Sequence, residues 1–281
     1  MLLNNRIIWE DNVTLIDASI RMSNLHAQTL TFAYTTAEDY LYLGSDLPFN
    51  HRFIDVGGTP NAVVSVASVE IWDGNAWNAA VDVLDETSNS SGVSLAQDGI
   101  LRWVCNKNYS WSQEETTEDI PALATLKIYN LYWARVSWSA TLTAGTLLNY
   151  IGHSFAVDAN LGAYYPDLVR SDILGAYETG KSTWKDQHVL AAEEIIADVK
   201  RKKLIKSGNQ ILNPEVFNLA AVHKCAEIIM RGLGKDWDEP RAAALKDYAV
   251  ALNTLPLGLD SNEDGKIDES ERSHVTGLYR A

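Results

Sequence analysis

The sequence predicts an α+β chain of two domains: an N-terminal antiparallel β-sandwich, then an α-helical bundle ending in an EF-hand-like loop. Three observations carry this expectation. Apolar residues alternate with period two through the first part of the 281 residues and take a helical period after about residue 166. Tryptophan and charge divide at the same place. Seven of nine Trp precede Thr146, and residues 1–165 hold 7 Lys+Arg against 18 Asp+Glu, a balance of −11, where the remainder holds 16 against 19, a balance of −3. Finally, residues 260–271 place oxygen-bearing side chains at the spacing of a calcium loop. The expected boundaries are a sandwich over 1–150, a linker over 151–165, a helical domain over 166–255, and a calcium loop with its tail over 256–281.

In the first domain, Val64, Val66, Val69 and Ile71 mark a strand over Val63–Trp72. Asp73-Gly74 follows, and Asp-Gly between apolar runs is a hairpin signal because glycine accepts the positive φ of the turn. A second strand is expected at Ala79–Leu84, and the polar run Asp85–Gly92 is a loop. Ile100–Val104 reads as a further strand. Leu126–Trp138 reads as the longest, with Tyr132, Ala134, Val136 and Trp138 on one face. Many short strands with alternating aromatics suggest a sandwich.

After Gly152, Gly162 and Pro166, the period becomes helical. Leu168–Tyr177 reads as a short helix. Ser182 or Thr183 with Asp186 resembles a capping arrangement before a helix carrying Val189, Ala192, Ile196 and Val199. That helix ends in Lys200-Arg201-Lys202-Lys203, where positive charge complements the macrodipole. Asn213-Pro214-Glu215 announces the next helix, which carries Phe217, Leu219, Ala220, Val222, Ala226, Ile229 and Met230 and stops near Gly232 or Gly234. Glu239-Pro240 starts a third, with Leu245, Tyr248, Ala249 and Leu252 expected inward.

Composition narrows the function classes. Hydrophobic residues at 46% support full cores, and a net charge of −14 argues against nucleic acid as the primary partner. Two cysteines, Cys105 and Cys225, imply no disulfide framework. Met-Leu-Leu-Asn-Asn-Arg without a long apolar stretch behind it predicts no signal peptide, and no run reaches the length of a membrane span, so no membrane partner is expected. The six histidines lack HExxH spacing. There is no Gly-x-Ser-x-Gly elbow, zinc-spaced cysteine pair, GxGxxG or P-loop. No catalytic residue is assigned, and the chain is read as no enzyme. A glycosidase carboxylate pair stays open, since its acids lie apart in sequence.

The sharp motif is Asp-Ser-Asn-Glu-Asp-Gly-Lys-Ile-Asp-Glu-Ser-Glu, residues 260–271. Calcium takes six to eight oxygens, and the EF-hand loop supplies them from positions 1, 3, 5, 7, 9 and 12. Those positions are Asp260, Asn262, Asp264, the carbonyl of Lys266, Asp268 and Glu271, with Gly265 at the sharp turn and Ile267 at the apolar anchor. Without a cation the four carboxylates would repel one another. Pro256 and Gly258 oppose an incoming helix, and there is one loop where sensors pair two, so a structural site is expected. Two weaker groups have plainer readings. Trp72, Trp77, Trp103, Trp111, Trp133 and Trp138 could form a sugar-stacking platform but read as core. Lys200–Lys203 with Lys206 could meet DNA phosphates but reads as a helix end.

Two stretches carry a resemblance. Tyr165-Pro166-Asp167-Leu168, the helix with Ala191-Ala192-Glu193-Glu194-Ile195-Ile196, Lys203-Leu204-Ile205-Lys206, the helix Phe217–Leu233 and the tail Leu259–Gly265 resemble the adaptor proteins of tailed-bacteriophage necks. Tyr42–Phe49, Glu70–Trp77, Ser94–Gly99 and Tyr132–Val136 are similar to β-sandwich modules of phage virion proteins, with Ala134 where Ile is usual before Arg135. The resemblance implies a head–tail connector without catalytic activity, located in the virion neck. It implies a ring of about twelve copies between the portal protein and the next neck or tail protein, through which DNA passes without sequence-specific binding. Two alternatives remain: a carbohydrate-binding sandwich of a tail or surface protein, and a calcium-dependent enzyme acting on glycosides.

Overall fold

A computed structural model describes residues 5–25, 29–105, 110–258, 260, 265–267 and 272–274. The chain has mixed α and β content, with antiparallel sheets first and helices after them. It divides into two units, Met1–Gly152 with Asn262–Lys266, and His153–Ser261 with Ile267–Ala281.

The first unit contains β1 (Asn5–Asp11), β2 (Thr14–Asp17), α1 (Ser19–Met22), β3 (Leu30–Thr31), β4 (Tyr40–Ser45), β5 (His51–Val56) and β6 (Ala67–Trp72). It continues with β7 (Trp77–Ala79), β8 (Val81–Asp85), β9 (Gly99–Val104), β10 (Gln113–Glu114), β11 (Leu131–Trp138) and β12 (Leu147–Gly152). One sheet runs β2-β1-β4-β11-β6-β7, with β10 beside β11, and the other runs β3-β12-β5-β9-β8. Both feed one apolar core. Trp9, Leu43, Val69 and Val136 enter it from the first sheet, and Ile54, Leu101, Trp103 and Leu148 from the second. On its other face the first sheet buries Tyr42, Trp72, Leu131 and Trp133 under Ile120 and Leu123. Gly44 is required there, because a Cβ at that position would lie 2.9 Å from the Trp133 ring.

Three expected strands differ in extent, each for a physical reason. The strand expected from Val63 starts at Ala67. The segment before it is held instead by buried Asn61, which donates to the carbonyls of Val63 (2.8 Å) and Ser94 (2.9 Å) and accepts from the N–H of Thr143 (3.0 Å). The strand expected at Ala79–Leu84 is two, since β7 pairs with β6 in one sheet and β8 with β9 in the other. The strand expected from Leu126 starts at Leu131, because two 3-10 turns, Thr117–Asp119 and Pro121–Leu123, fold back over the sheet.

The second unit holds α2 (Asp158–Tyr164), α3 (Ser171–Tyr177), α4 (Lys185–Arg201), α5 (Asn218–Leu233) and α6 (Asp238–Asn253). Residues 153–165, expected as a linker, are part of this body: Phe155, Ala156 and Leu161 lie in its core. Neither Ser182 nor Thr183 caps α4. The cap comes from Asp158, whose carboxylate accepts the Trp184 N–H at 3.1 Å and pairs with His188 Nε2 at 3.0 Å. A carboxylate at a helix N-terminus satisfies orphan donors and the macrodipole together. At the other end of α4 the Leu204 N–H reaches the Val199 carbonyl (3.2 Å) and the Lys203 N–H the Lys200 carbonyl (2.8 Å). This is a Schellman closure, and Lys203 occupies its left-handed position at φ 57°.

Helix α5 is the spine, with its side chains from Ala220 to Met230 buried except for partly covered His223. Its two internal charges are therefore paired. Lys224 Nζ meets Glu194 of α4 at 2.5 Å. Glu227, 3% exposed, accepts from Arg231 (2.6 Å) and from Arg241 of α6 (2.9 Å). Burial opposes ionisation of Glu227, but the two arginine hydrogen bonds outweigh it and push its pKa down to about 2. A depressed carboxyl contributes stability above its unfolded pKa and loses it as pH falls through the folded one. Acid titration by circular dichroism should show the wild type losing stability from about pH 4.5 towards about 2. Glu227→Gln should flatten that limb and cost roughly 2 kcal/mol at neutral pH, measured by urea denaturation, by removing the charged acceptor that partly exposed Arg231 and Arg241 share and one of the two counter-charges of buried Lys224.

Candidate metal-binding segment

The acidic loop 260–271 is bracketed by strands rather than helices. Pro256–Gly258 forms β13 and Arg272–His274 forms β14, paired antiparallel with Pro256 opposite His274 and Gly258 opposite Arg272. The proline and glycine that oppose an incoming helix sit in that first strand. The ladder brings the two ends of the loop together, which a ligand set split between loop positions 1 and 12 requires.

Inside the loop, Asp260 is 0% exposed. Its carbonyl accepts the Gln210 side-chain N–H at 2.9 Å, and Gln210 belongs to the capped turn that starts at Ser207. Gly265 has φ 79°, the left-handed conformation expected at position 6. A Cβ there would stand 2.7 Å from Trp111 Cδ1. Lys266 and Ile267 are half-buried. The remaining expected ligands, Asn262, Asp264, Asp268 and Glu271, lie outside the described residues. Among the described residues, no group of three or more His, Cys, Asp and Glu is placed to hold a metal. The donor set named by the sequence is all oxygen, as calcium prefers. Within the second unit, the buried Asp260 and the closed ladder ends fit such an ion.

The other sequence candidates fall as follows. Trp72, Trp103, Trp111, Trp133 and Trp138 are buried. Trp77 is half-covered, packed against Trp72 and Tyr42 with the Arg135 guanidinium 4.8 Å from its ring centre. The cluster therefore presents no open row of stacking faces. Cys105 and Cys225 are buried, Cys105 Sγ accepting the Trp111 indole N–H at 2.6 Å, and burial raises the Cys225 pKa. Among the described residues no helix is long and apolar enough to cross a membrane.

Two polar clusters had no sequence signal, because their partners lie far apart in the chain. One is Asp158 with His188 and the Trp184 N–H. The other joins the Tyr165 hydroxyl to His223 Nδ1 at 2.7 Å. Burial lowers the His223 pKa, partly offset by Asp247 nearby. Asp158 accounts for itself as a helix cap. Tyr165 and His223 join the segment after α2 to α5.

No known family, curated protein or solved structure matches the chain.

Gly265→Ala tests the loop conformation directly. A non-glycine residue in the left-handed region costs about 1–2 kcal/mol, so calorimetry should show calcium affinity lowered roughly five- to thirty-fold. Unchanged affinity would mean that the turn at Gly265 is not part of the ion-binding form.

Proposed function

We propose that the chain is a structural virion protein, a head–tail connector (adaptor) of a tailed-bacteriophage neck. Its copies close into a ring of about twelve between portal and tail by head-to-tail contacts. The observation that carries this reading is α6. Its inner face contributes Ala244, Tyr248, Ala251 and Leu252 to the core, yet its outer face sets apolar side chains among the charged Glu239, Lys246 and Asp247. Ala242, Ala243, Leu245, Ala249 and Val250 are exposed, Leu245 by 47% and Val250 by 48%. Leu245 and Ala249, expected inward from periodicity, are thus on the outside. A helix in water keeps its outer face polar unless a partner covers it. A second copy is the occupant the ring reading supplies.

Two finer readings accompany it. The β unit is a sandwich module, supported by the core its two sheets share. The tail is a structural calcium site held by Asp260, Asn262, Asp264, the Lys266 carbonyl, Asp268 and Glu271. Bound calcium would supply the positive charge that lets four carboxylates share one loop. The likeness of the sequence to neck adaptors supports the virion assignment, and the chain is read as no enzyme.

Electron microscopy of the purified chain, alone and with portal-bearing heads, should show closed cyclic particles. Leu245→Glu with Val250→Glu should abolish them without lowering the melting temperature by more than about four degrees, since surface substitutions stay within roughly 0.5 kcal/mol each. A wild type that stays monomeric under both conditions overturns the reading. Separately, Asp260→Ala and Glu271→Ala should each abolish the calcium heat in calorimetry, and unchanged binding in both would remove the metal assignment.

A further inference from the structure

We propose that Arg52 anchors a small-oxyanion site, which takes a carboxylate or phosphate group beside the first residue of β1. Arg52 is the second residue of β5 and is 3% exposed. Its Nη1 donates to the His51 carbonyl at 2.8 Å, and its Nη2 to Asn5 Oδ1 at 3.4 Å. The centre of the Phe49 ring lies 3.9 Å from the guanidinium carbon.

The side chain lacks a counter-charge. Among the described residues lysine or arginine is buried at two positions, Lys224 and Arg52. Lys224 lies within ion-pair distance of both Glu194 and Glu227. Arg52 forms no ion pair among the described residues, and Asp46 acts on it only from longer range. Burial pulls the Arg52 pKa down to about 9, partly offset by Tyr150 and Asp46. At neutral pH the guanidinium is still charged, in a place where an ion without a partner is destabilising. The stacked Phe49 ring offsets part of that.

Its hydrogen bonding is incomplete too. A guanidinium carries five N–H donors in a planar fork. Two of them meet acceptors, and the bond to Asn5 is long. All six positions of β5 are buried, so an apolar side chain would serve the fold better here. A fork short of acceptors and of negative charge is complementary to a carboxylate or a phosphate, which supplies both. Asn5 is half-exposed, so the guanidinium it contacts lies just beneath the surface. The oxyanion enters by displacing the Asn5 amide, the weaker of the two hydrogen-bond partners. The charge of Asp46 favours a monoanion over a dianion. This site belongs to the β unit alone and does not rest on the connector reading.

The test is the melting temperature of the full chain at neutral pH, as sodium chloride is replaced by sodium acetate or sodium phosphate at constant ionic strength. Wild type should rise and saturate, with acetate alone marking a carboxylate site and phosphate alone a phosphate site. Arg52→Met should melt at least as high as wild type in chloride, because the buried unpaired ion is gone. Its saturable rise should need a roughly ten- to hundred-fold higher anion concentration. Asn5→Ala should move the rise to lower concentration, since the competing acceptor is removed.

Three results would overturn the proposal. Wild type could be indifferent to both anions. Wild type and Arg52→Met could respond equally, which is a general salt effect. Or Arg52→Met could melt well below wild type in chloride, which would show that the charge is satisfied within the fold.

Discussion

A helix buried on nearly every side cannot carry a bare charge, and α5 carries two. Lys224 and Glu227 sit among alanines, isoleucines and a cysteine, where an unpaired ion would cost several kcal/mol. Their partners are supplied by different elements: Glu194 from α4, Arg241 from α6, and Arg231 from the last turn of α5 itself. The pairing specifies which faces of α4 and α6 turn inward, a choice that apolar burial alone makes loosely. Tyr248 extends the same logic, its hydroxyl donating to Asp198 of α4 at 2.6 Å. The inward side of α6 is thus committed to the bundle, which leaves Leu245 and Val250 on its outer side.

The β unit meets the same constraint with loops. Asn61 uses both its donors and its acceptor to hold three connections at once. Asp85 gathers the Thr87 N–H and the hydroxyls of Thr87, Ser88 and Ser94, and the Trp138 indole N–H then bonds Ser94 Oγ at 2.8 Å. A polar loop is in this way tied to the end of the central strand β11. Tyr34 closes that strand again, accepting the Trp138 N–H and donating to its carbonyl. Loops held at this many points are parts of the scaffold rather than mobile arms.

What could be read from sequence follows the range of the interaction. The Asp73-Gly74 turn was legible because it is local: Asp73 accepts the N–H groups of Asn75 and Ala76, and Gly74 takes φ 95°. The stop of α5 at Gly234, φ 97°, was legible for the same reason. Strands β4 and β5 gave no alternation, since β5 is buried at all six positions and β4 at five of six, which erases the period-two signal. The cap of α4 was misread as Ser182 or Thr183 because the true acceptor, Asp158, is 26 residues away. Leu245 is expected inward because apolar residues stand on both sides of α6, which weakens the phase that periodicity reads. For the loop, Gly265 takes the left-handed φ that a sharp turn needs, and the flanking strands were foreshadowed only by Pro256 and Gly258.

Those flanking strands bear on what an ion in the loop could do. An EF-hand that switches does so by changing the angle between two helices that its loop joins. Here the segments on either side are hydrogen-bonded to one another, with Gly258 opposite Arg272, so the ends of the loop are already fixed in separation. Charge gathered between fixed ends changes the energy of the loop far more than its endpoints. Neutralising Asp260, Asp264, Asp268 and Glu271 with one calcium would therefore lower the energy of the loop without moving what it connects. The same physics that denies the loop a lever would suit it to a clasp.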